Sequence, residues 1–129
     1  MTPLVFRRHI LQWYKKHGRH NLPWRRTTDP YRIMVSEIML QQTQVDRVVD
    51  YYKKFLKKFP STKALAAAPL SAVLRTWQGL GYNRRAVMLH RAATVVVQKY
   101  HGRWPKTVEG LEALPGVGPY TARAVAAFA

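Results

Sequence analysis

Cysteine is absent from this chain, and acid is scarce. Without cysteine there is no disulfide and no thiolate ligand for a metal within these residues. Six carboxylates, Asp29, Glu37, Asp46, Asp50, Glu109 and Glu112, stand against 22 Lys and Arg, leaving a net charge of +16. In a small chain that imbalance points to a polyanionic partner; nucleic acid fits it, as would ribosomal or membrane-surface binding. Long apolar runs are missing too. Nothing approaches the roughly 18 residues that cross a bilayer, so no membrane role is expected. The opening MTPLVFRRHILQWYKKHG scatters charge and lacks a small-residue cleavage site, unlike a secretory signal. The expected compartment is the cytoplasm, in company with the nucleoid.

Strand alternation and internal repeats are lacking, and what is present is helical periodicity in 129 residues that are 47% apolar, enough for one core. The spacing of Val5, Phe6, Ile10, Trp13 and Tyr14 predicts an amphipathic first helix ending near Gly18. A loop broken by Pro23 and Pro30 follows, with Asp29 placed to cap a helix from Pro30 to Gln42. A third helix carries Val45, Val48, Val49, Tyr52, Phe55, Leu56 and Phe59 on one stripe and Lys53, Lys54, Lys57 and Lys58 on the other, until Pro60 stops it. Ser61 is expected to cap a short helix through Ala67, and Ser71 another that ends at Gly79. Ala86, Leu89, Ala93, Val96, Val97 and Tyr100 line a longer helix closed by Gly102. Thr107 caps a short helix reaching Leu114, and a last helix starts near Pro119 and runs, still apolar, to Ala129. The expected fold class is all-α: many short helices in one body.

Four stretches carry chemistry. In SEIMLQQTQV, Glu37 is the one acid among apolar and amide neighbours, either exposed by accident of helical phase or held in a cleft. In LPGVGPYTARAV, Gly116 and Gly118 flank Val117 just before a helix start. Glycines there let consecutive amides point outward, and the helix N-terminus adds partial positive charge, together a seat for a phosphate. With a charge of +16 this reads as a helix-hairpin-helix element that grips nucleic-acid backbone rather than bases. WQGLGYNRRA is a second glycine-punctuated turn. There Tyr82 is placed to stack on or wedge between bases and Arg84 and Arg85 to hold phosphates, although a plain connector with a core tyrosine is the simpler reading. In LPWRRTTDPY, Trp24 and Arg25 sit at the mouth of a loop leading into the Glu37 helix, where Trp24 is either a plug on the core or a pocket wall beside the acid. His9, His17, His20, His90 and His101 show no metal spacing and read as surface or packing residues.

Taken together, LPWRRTTDPYRIMVSEIMLQQTQVDRVVDYYKKFLKKFP, WQGLGYNRRA and LPGVGPYTA resemble the adenine DNA glycosylases (the MutY family) of the helix-hairpin-helix glycosylase superfamily, relatives of endonuclease III. The likeness covers nearly the whole chain in order and spacing, and SEIMLQQT is specific to the adenine branch. It implies a six-helix barrel domain over residues 21–129, incomplete at its C-terminal end, and an N-terminal helix over 1–20 that packs on an iron–sulfur domain. It implies base-excision repair, with double-stranded DNA carrying adenine mispaired with 8-oxoguanine or guanine as partner and substrate and a monomeric protein. Glu37 would be the general acid/base, protonating the adenine as it leaves through an oxocarbenium-like state and then helping to activate water. Apolar walls such as Ile33 and Met34 would raise its pKa. Gln42 and Tyr82 would push into the duplex where the base is flipped out, Thr43 would approach the lesion-bearing base opposite, and Trp24 and Arg25 would enclose the adenine. Tyr120 stands where bifunctional relatives carry a Schiff-base lysine, which implies a monofunctional glycosylase without β-elimination.

The chain departs from the family at its C-terminal side. The family's second catalytic carboxylate falls beyond Ala129, and the cysteines that hold its [4Fe–4S] cluster are not in this sequence, so these residues bind no cofactor. Ending mid-helix on AVAAFA favours a truncated reading frame or a fragment. Without the cluster domain, the apolar face of Val5, Ile10, Trp13 and Tyr14 is expected to be partly uncovered. Two alternatives stay open: a related thymine-mismatch glycosylase, disfavoured by Gln41 and Gln42, and a DNA-binding module without turnover. Losing one transition-state contact costs on the order of 2.7–4 kcal/mol. Whichever holds, lysine and arginine contacts to phosphates predict an affinity for any duplex that falls about 10³–10⁵-fold between 50 and 200 mM salt if 6–10 phosphates are met. Fluorescence anisotropy across a salt series reads that slope, and a flat response excludes the polyanion reading.

Overall fold

The computed structural model describes residues 3–5, 7, 8 and 22–129. Most of the expected first helix, including Phe6, Ile10, Trp13 and Tyr14, lies outside them. Of its expected apolar face only Val5 is described, helical and exposed, as is Leu4 beside it. A 3-10 turn, Pro23–Arg25, leads to seven α-helices, and no strand occurs among the described residues. These are α1 Pro30–Leu40, α2 Val45–Lys58, α3 Thr62–Ala67, α4 Leu70–Trp77, α5 Arg84–Tyr100, α6 Val108–Glu112 and α7 Pro119–Phe128. The all-α expectation therefore holds.

Helix α1 is the spine. Asp29 accepts the Tyr31 amide at 3.0 Å and Pro30 occupies the first turn, so the start is fixed by a cap and a preset φ. Eight of its residues, Tyr31, Ile33, Met34, Val35, Ser36, Glu37, Ile38 and Met39, are buried. A helix apolar on all sides needs neighbours on all sides, and α2, α5, α7 and the 3-10 turn supply them. Helix α2 shows the opposite logic. Its stripe of Val48, Tyr52 and Phe55 is buried, while Lys53, Lys54, Lys57 and Lys58 remain in solvent. Phe55 meets Phe59 at 5.0 Å and Trp77 of α4 edge-on at 5.9 Å, tying α2 to α4. Trp104, after α5, buries its ring and donates to Thr62 Oγ1 of α3 at 2.8 Å.

Four boundaries differ from those expected, one of them the end of α4, which closes at Trp77 and not at Gly79. Helix α1 ends at Leu40, and Gln41 turns extended before Gln42, whose φ of 60° is left-handed. Ser71 is not a cap. Proline disfavours helical angles in the residue before it, Ala68 is accordingly extended, and Pro69 itself takes the cap position so that α4 starts at Leu70. Helix α6 closes at Glu112, short of Leu114. The caps from Ser61 to the Ala64 amide and from Thr107 to the Gly110 amide form as expected, each side chain accepting the bond. His101 adopts φ 57° and Gly102 φ 85° to end α5. His90, on α5, holds Ala68 O at 2.8 Å, a packing role.

Tyr31 anchors the spine from below by donating to the Phe59 carbonyl at 2.7 Å in the core. Burial, and then the Asp29 charge, push its phenol well above the ordinary value of 10.0. An acid raised in the folded state favours folding fully below its unfolded value, and that contribution is lost as pH rises through the folded one. Tyr31→Phe is therefore expected to lose about 0.5–1.5 kcal/mol at neutral pH and to unfold less steeply than wild type above pH ~10, where the unfolded phenol ionises. Urea titrations at pH 7 and pH 10.5 check both limbs, and an unchanged alkaline limb would reject Tyr31 as its source.

Candidate functional site

Helix α1 presents two different faces at two openings. Ile33 and Glu37, one turn apart, reach a cleft of about 280 Å³ completed by Trp24, Arg25, Thr27, Thr28 and Phe128. Ile38, Gln41 and Gln42 line a wider groove of about 560 Å³ with Tyr82, Arg84, Arg85, Met88 and Gly116. The expected site residues thus separate into a cleft set and a groove set, joined through one helix.

Glu37 is 6% exposed, so the question its sequence posed is answered: phase turns it inward. Trp24 is both plug and wall. It is buried, its ring meets Tyr52 edge-on at 5.3 Å, and it still borders the cleft beside Glu37. Its indole N–H is buried and finds no hydrogen-bond partner among the described residues, in a wall of the cleft. Phe128 and the two threonines of the TTDPY loop were not singled out in the sequence. Only the turn composition of that loop hinted at them, and nothing in the local pattern brings a residue of α7 to α1.

Tyr120 is 57% exposed at the start of α7 and feels the charge of Glu37. Partial burial raises its phenol, and the negative Glu37 raises it further. At neutral pH Tyr120 is therefore an uncharged hydroxyl. Beside it, Gln41 fastens the end of α1 to α7, donating from Nε2 to Thr121 Oγ1 at 2.8 Å.

In the groove, Tyr82 is 62% exposed and Gln42 is exposed. Both take left-handed backbone angles, φ 50° and φ 60°, which side chains of this size visit only when the surroundings impose them. Arg84 is exposed, as a phosphate holder would be. Arg85 departs from that expectation. Its Nη1 donates to Ile38 O at 3.1 Å and Met39 O at 2.9 Å, so it serves the C-terminal carbonyls of α1 rather than the outside. Thr43 is half-buried, its hydroxyl accepting from Arg85 Nη2 at 3.0 Å.

The hairpin also divides. Gly116 has φ +73°, and a Cβ there would collide with Cβ of Met88, so glycine is required by angle and by space. Gly118 has φ −84°, open to any residue, and a Cβ would meet nothing within 4 Å. The expectation that both glycines supply forbidden angles is corrected: only Gly116 does. Val117 is corrected as well. Its side chain is buried and its amide donates to Leu114 O at 3.2 Å, so it is a core residue of the turn, not an outward amide. Among the described residues no group of three or more His, Asp or Glu comes together to hold a metal ion, and no helix is long and apolar enough to cross a membrane.

Residues 35–128 match the HhH-GPD superfamily of base excision DNA repair proteins. The adenine DNA glycosylase of Buchnera aphidicola subsp. Baizongia pistaciae (strain Bp) is 45% identical over 128 residues, 99% of this chain and 36% of that protein. The adenine DNA glycosylase of Mycolicibacterium smegmatis (strain ATCC 700084 / mc(2)155) is 48% identical over 121 residues, 93% of this chain and 41% of that one. The chain therefore spans about two fifths or less of these curated relatives. Among solved structures, a thermostable thymine-DNA glycosylase superposes with a TM-score of 0.81 at 36% identity, over 98% of this chain and 58% of that one.

The hairpin yields a prediction. Gly116→Ala should cost about 1–3 kcal/mol through its left-handed angle and the Met88 contact, whereas Gly118→Ala should leave stability within ±0.5 kcal/mol. Thermal melts of the two variants check this, and equal losses would show that the two glycines have one role.

Proposed function

We propose, for a chain that belongs to the HhH-GPD superfamily of base excision DNA repair proteins, that its parent protein excises adenine mispaired with 8-oxoguanine or guanine in duplex DNA. Glu37 is the acid. The observation that carries the reading is the inward Glu37 in a cleft walled by Trp24, Ile33 and Phe128, on the helix whose following turn carries Gln42, which lines the groove with Tyr82. DNA lies along the groove. Gln42 and Tyr82 enter the stack, the displaced adenine passes into the cleft between Trp24 and Arg25, and Thr43 sits on the side of the opposite base. Gly116 and Gly118 let the strand approach the start of α7 closely, with Arg84 beside them.

The chemistry follows from what the cleft holds. Breaking the glycosidic bond leaves positive charge on the sugar and negative charge on the departing purine, so a proton must reach the base. The neutral Glu37 carboxyl gives that proton to a ring nitrogen, the C–N bond breaks with its electron pair going to the base, and the resulting carboxylate then takes a proton from the water that adds to the sugar. Burial among apolar side chains penalises the charged carboxyl and favours its role as proton donor. Tyr120 contributes a neutral hydroxyl at the same place. It has no amine, so no Schiff base forms and the product is an abasic site with an intact backbone.

None of the other five acids of this chain lines the cleft, so no second carboxylate here supports the sugar cation. An iron–sulfur cluster needs thiolates, and with no cysteine present the residues of this chain do not fit one; no step is drawn through it. The monomeric state and the nucleoid-associated cytoplasmic location belong to the same proposal.

The test is a single-turnover assay on duplexes bearing adenine opposite 8-oxoguanine, with thymine opposite guanine as comparison and alkali to reveal abasic sites. In the full-length protein, Glu37→Gln is expected to slow adenine release by about 10²–10⁴-fold while leaving duplex affinity nearly unchanged. This chain alone is expected to bind the same duplex and to release adenine about 10²–10³-fold more slowly than the full-length protein. Preferential thymine release, or a Glu37→Gln variant as fast as wild type, would reject the assignment.

A further inference from the structure

The two exposed prongs of the groove share one internal support. The carbonyl immediately before left-handed Gln42 is Gln41 O, and the carbonyl immediately before left-handed Tyr82 is Gly81 O. The same guanidinium holds both. Arg85 Nη1 donates to Gln41 O, and Arg85 Nη2 donates to Gly81 O at 3.1 Å. Further bonds run from Nη1 to Ile38 O and Met39 O, and from Nη2 to Thr43 Oγ1. The planar group also lies 5.5 Å from the centres of both the Trp77 and Tyr82 rings. One side chain therefore reaches the end of α1 and the turn after it on one hand, and the turn before α5, some forty positions further along the chain, on the other.

We propose that Arg85 is a positioning residue that locks the Gln41–Thr43 turn to the Gly79–Tyr82 turn, so that Gln42 and Tyr82 form one rigid two-pronged edge before any duplex arrives. This rests on the proposed function only for what the edge is used for; the locking itself is a property of the free chain. The physical reason lies in the fork. A left-handed angle on glutamine or tyrosine persists only where the surroundings over-determine it, and a guanidinium offers five N–H donors in a fixed plane that can satisfy several carbonyls at once. An ammonium carries the same charge but offers three donors from a single point. Two loops locked in advance lose little freedom on binding, so more of the contact energy appears as affinity.

The test uses this chain with Arg85→Lys and Arg85→Gln beside Arg84→Gln. Amide hydrogen exchange without DNA is read over residues 40–44 and 79–83 and, as reference, over the interior of α5. Arg85→Lys is expected to speed exchange about tenfold or more in both turns together, with the α5 interior unchanged. Exchange that rises everywhere shows a general stability role, and exchange that rises in one turn or neither shows no lock; each overturns the proposal. If Arg85→Gln does not fold, the lysine variant still decides, because it keeps the charge and removes only the fork. With duplex DNA, both Arg85 variants are expected to bind about tenfold more weakly at an unaltered salt slope, whereas Arg84→Gln should lower the slope by about 0.9. A slope lowered equally by Arg85→Gln identifies a phosphate contact and overturns the positioning role. A wild-type chain that binds no duplex removes the proposed function, while the exchange result still decides the lock.

Discussion

Helix α1 must be covered around most of its circumference, and the rest of the described fold is arranged around that constraint. Eight buried residues in one short helix remove far more apolar surface than a single packed face would. The helix is covered by α2, α5, α7 and the Pro23–Arg25 turn, and all of these but α2 bring a residue to an opening. The turn brings Trp24 and Arg25 to the cleft, α7 brings Phe128 there and Tyr120 under the influence of Glu37, and α5 brings Arg85 to the end of α1. Packing and site assembly are one event in this molecule. A change that loosens α1 would be felt in the cleft and the groove together.

Within that frame polar groups are placed economically. Tyr31 and Ser36 donate to buried carbonyls at 2.7 Å, and the hydroxyls of Thr62 and Thr121 accept at 2.8 Å from Trp104 Nε1 and Gln41 Nε2. Glu37 is the buried residue whose carboxyl opens on a cavity. Buried ionisable groups that face a cavity are where folds concentrate chemistry, because the same desolvation that costs stability tunes proton affinity. The excess of cations, by contrast, is spread over solvent-facing positions such as the lysines of α2, where it can attract a polyanion without entering the core.

The left-handed residues tell a related story. Gln42, Tyr82 and Gly116 all have positive φ and all border the groove. Glycine takes that angle at little cost, and at Gly116 the close pass of Met88 also leaves no room for a side chain. Glutamine and tyrosine do not take it freely, so their shape reflects the neighbours that hold them. Conformational strain and exposure at one edge are what a surface prepared to enter another molecule would show.

The residue pattern alone determined the helical class, most element boundaries and the caps at Asp29, Ser61 and Thr107, because periodicity and capping act within a few residues of each other. It also singled out Glu37, since one acid in an apolar helix is visible in a line of text, and the glycine turns that flank the groove. It did not distinguish Gly116 from Gly118, expose Val117 as core, or separate inward Arg85 from outward Arg84. Two adjacent arginines at a helix start are chemically alike until the end of α1, some forty residues earlier, arrives with its unpaired carbonyls beside one of them. Pairings such as Phe128 with Glu37 across the cleft, or Gln41 with Thr121, depend on how α7 docks on α1. No local rule encodes that docking; only the closing of the fold decides it.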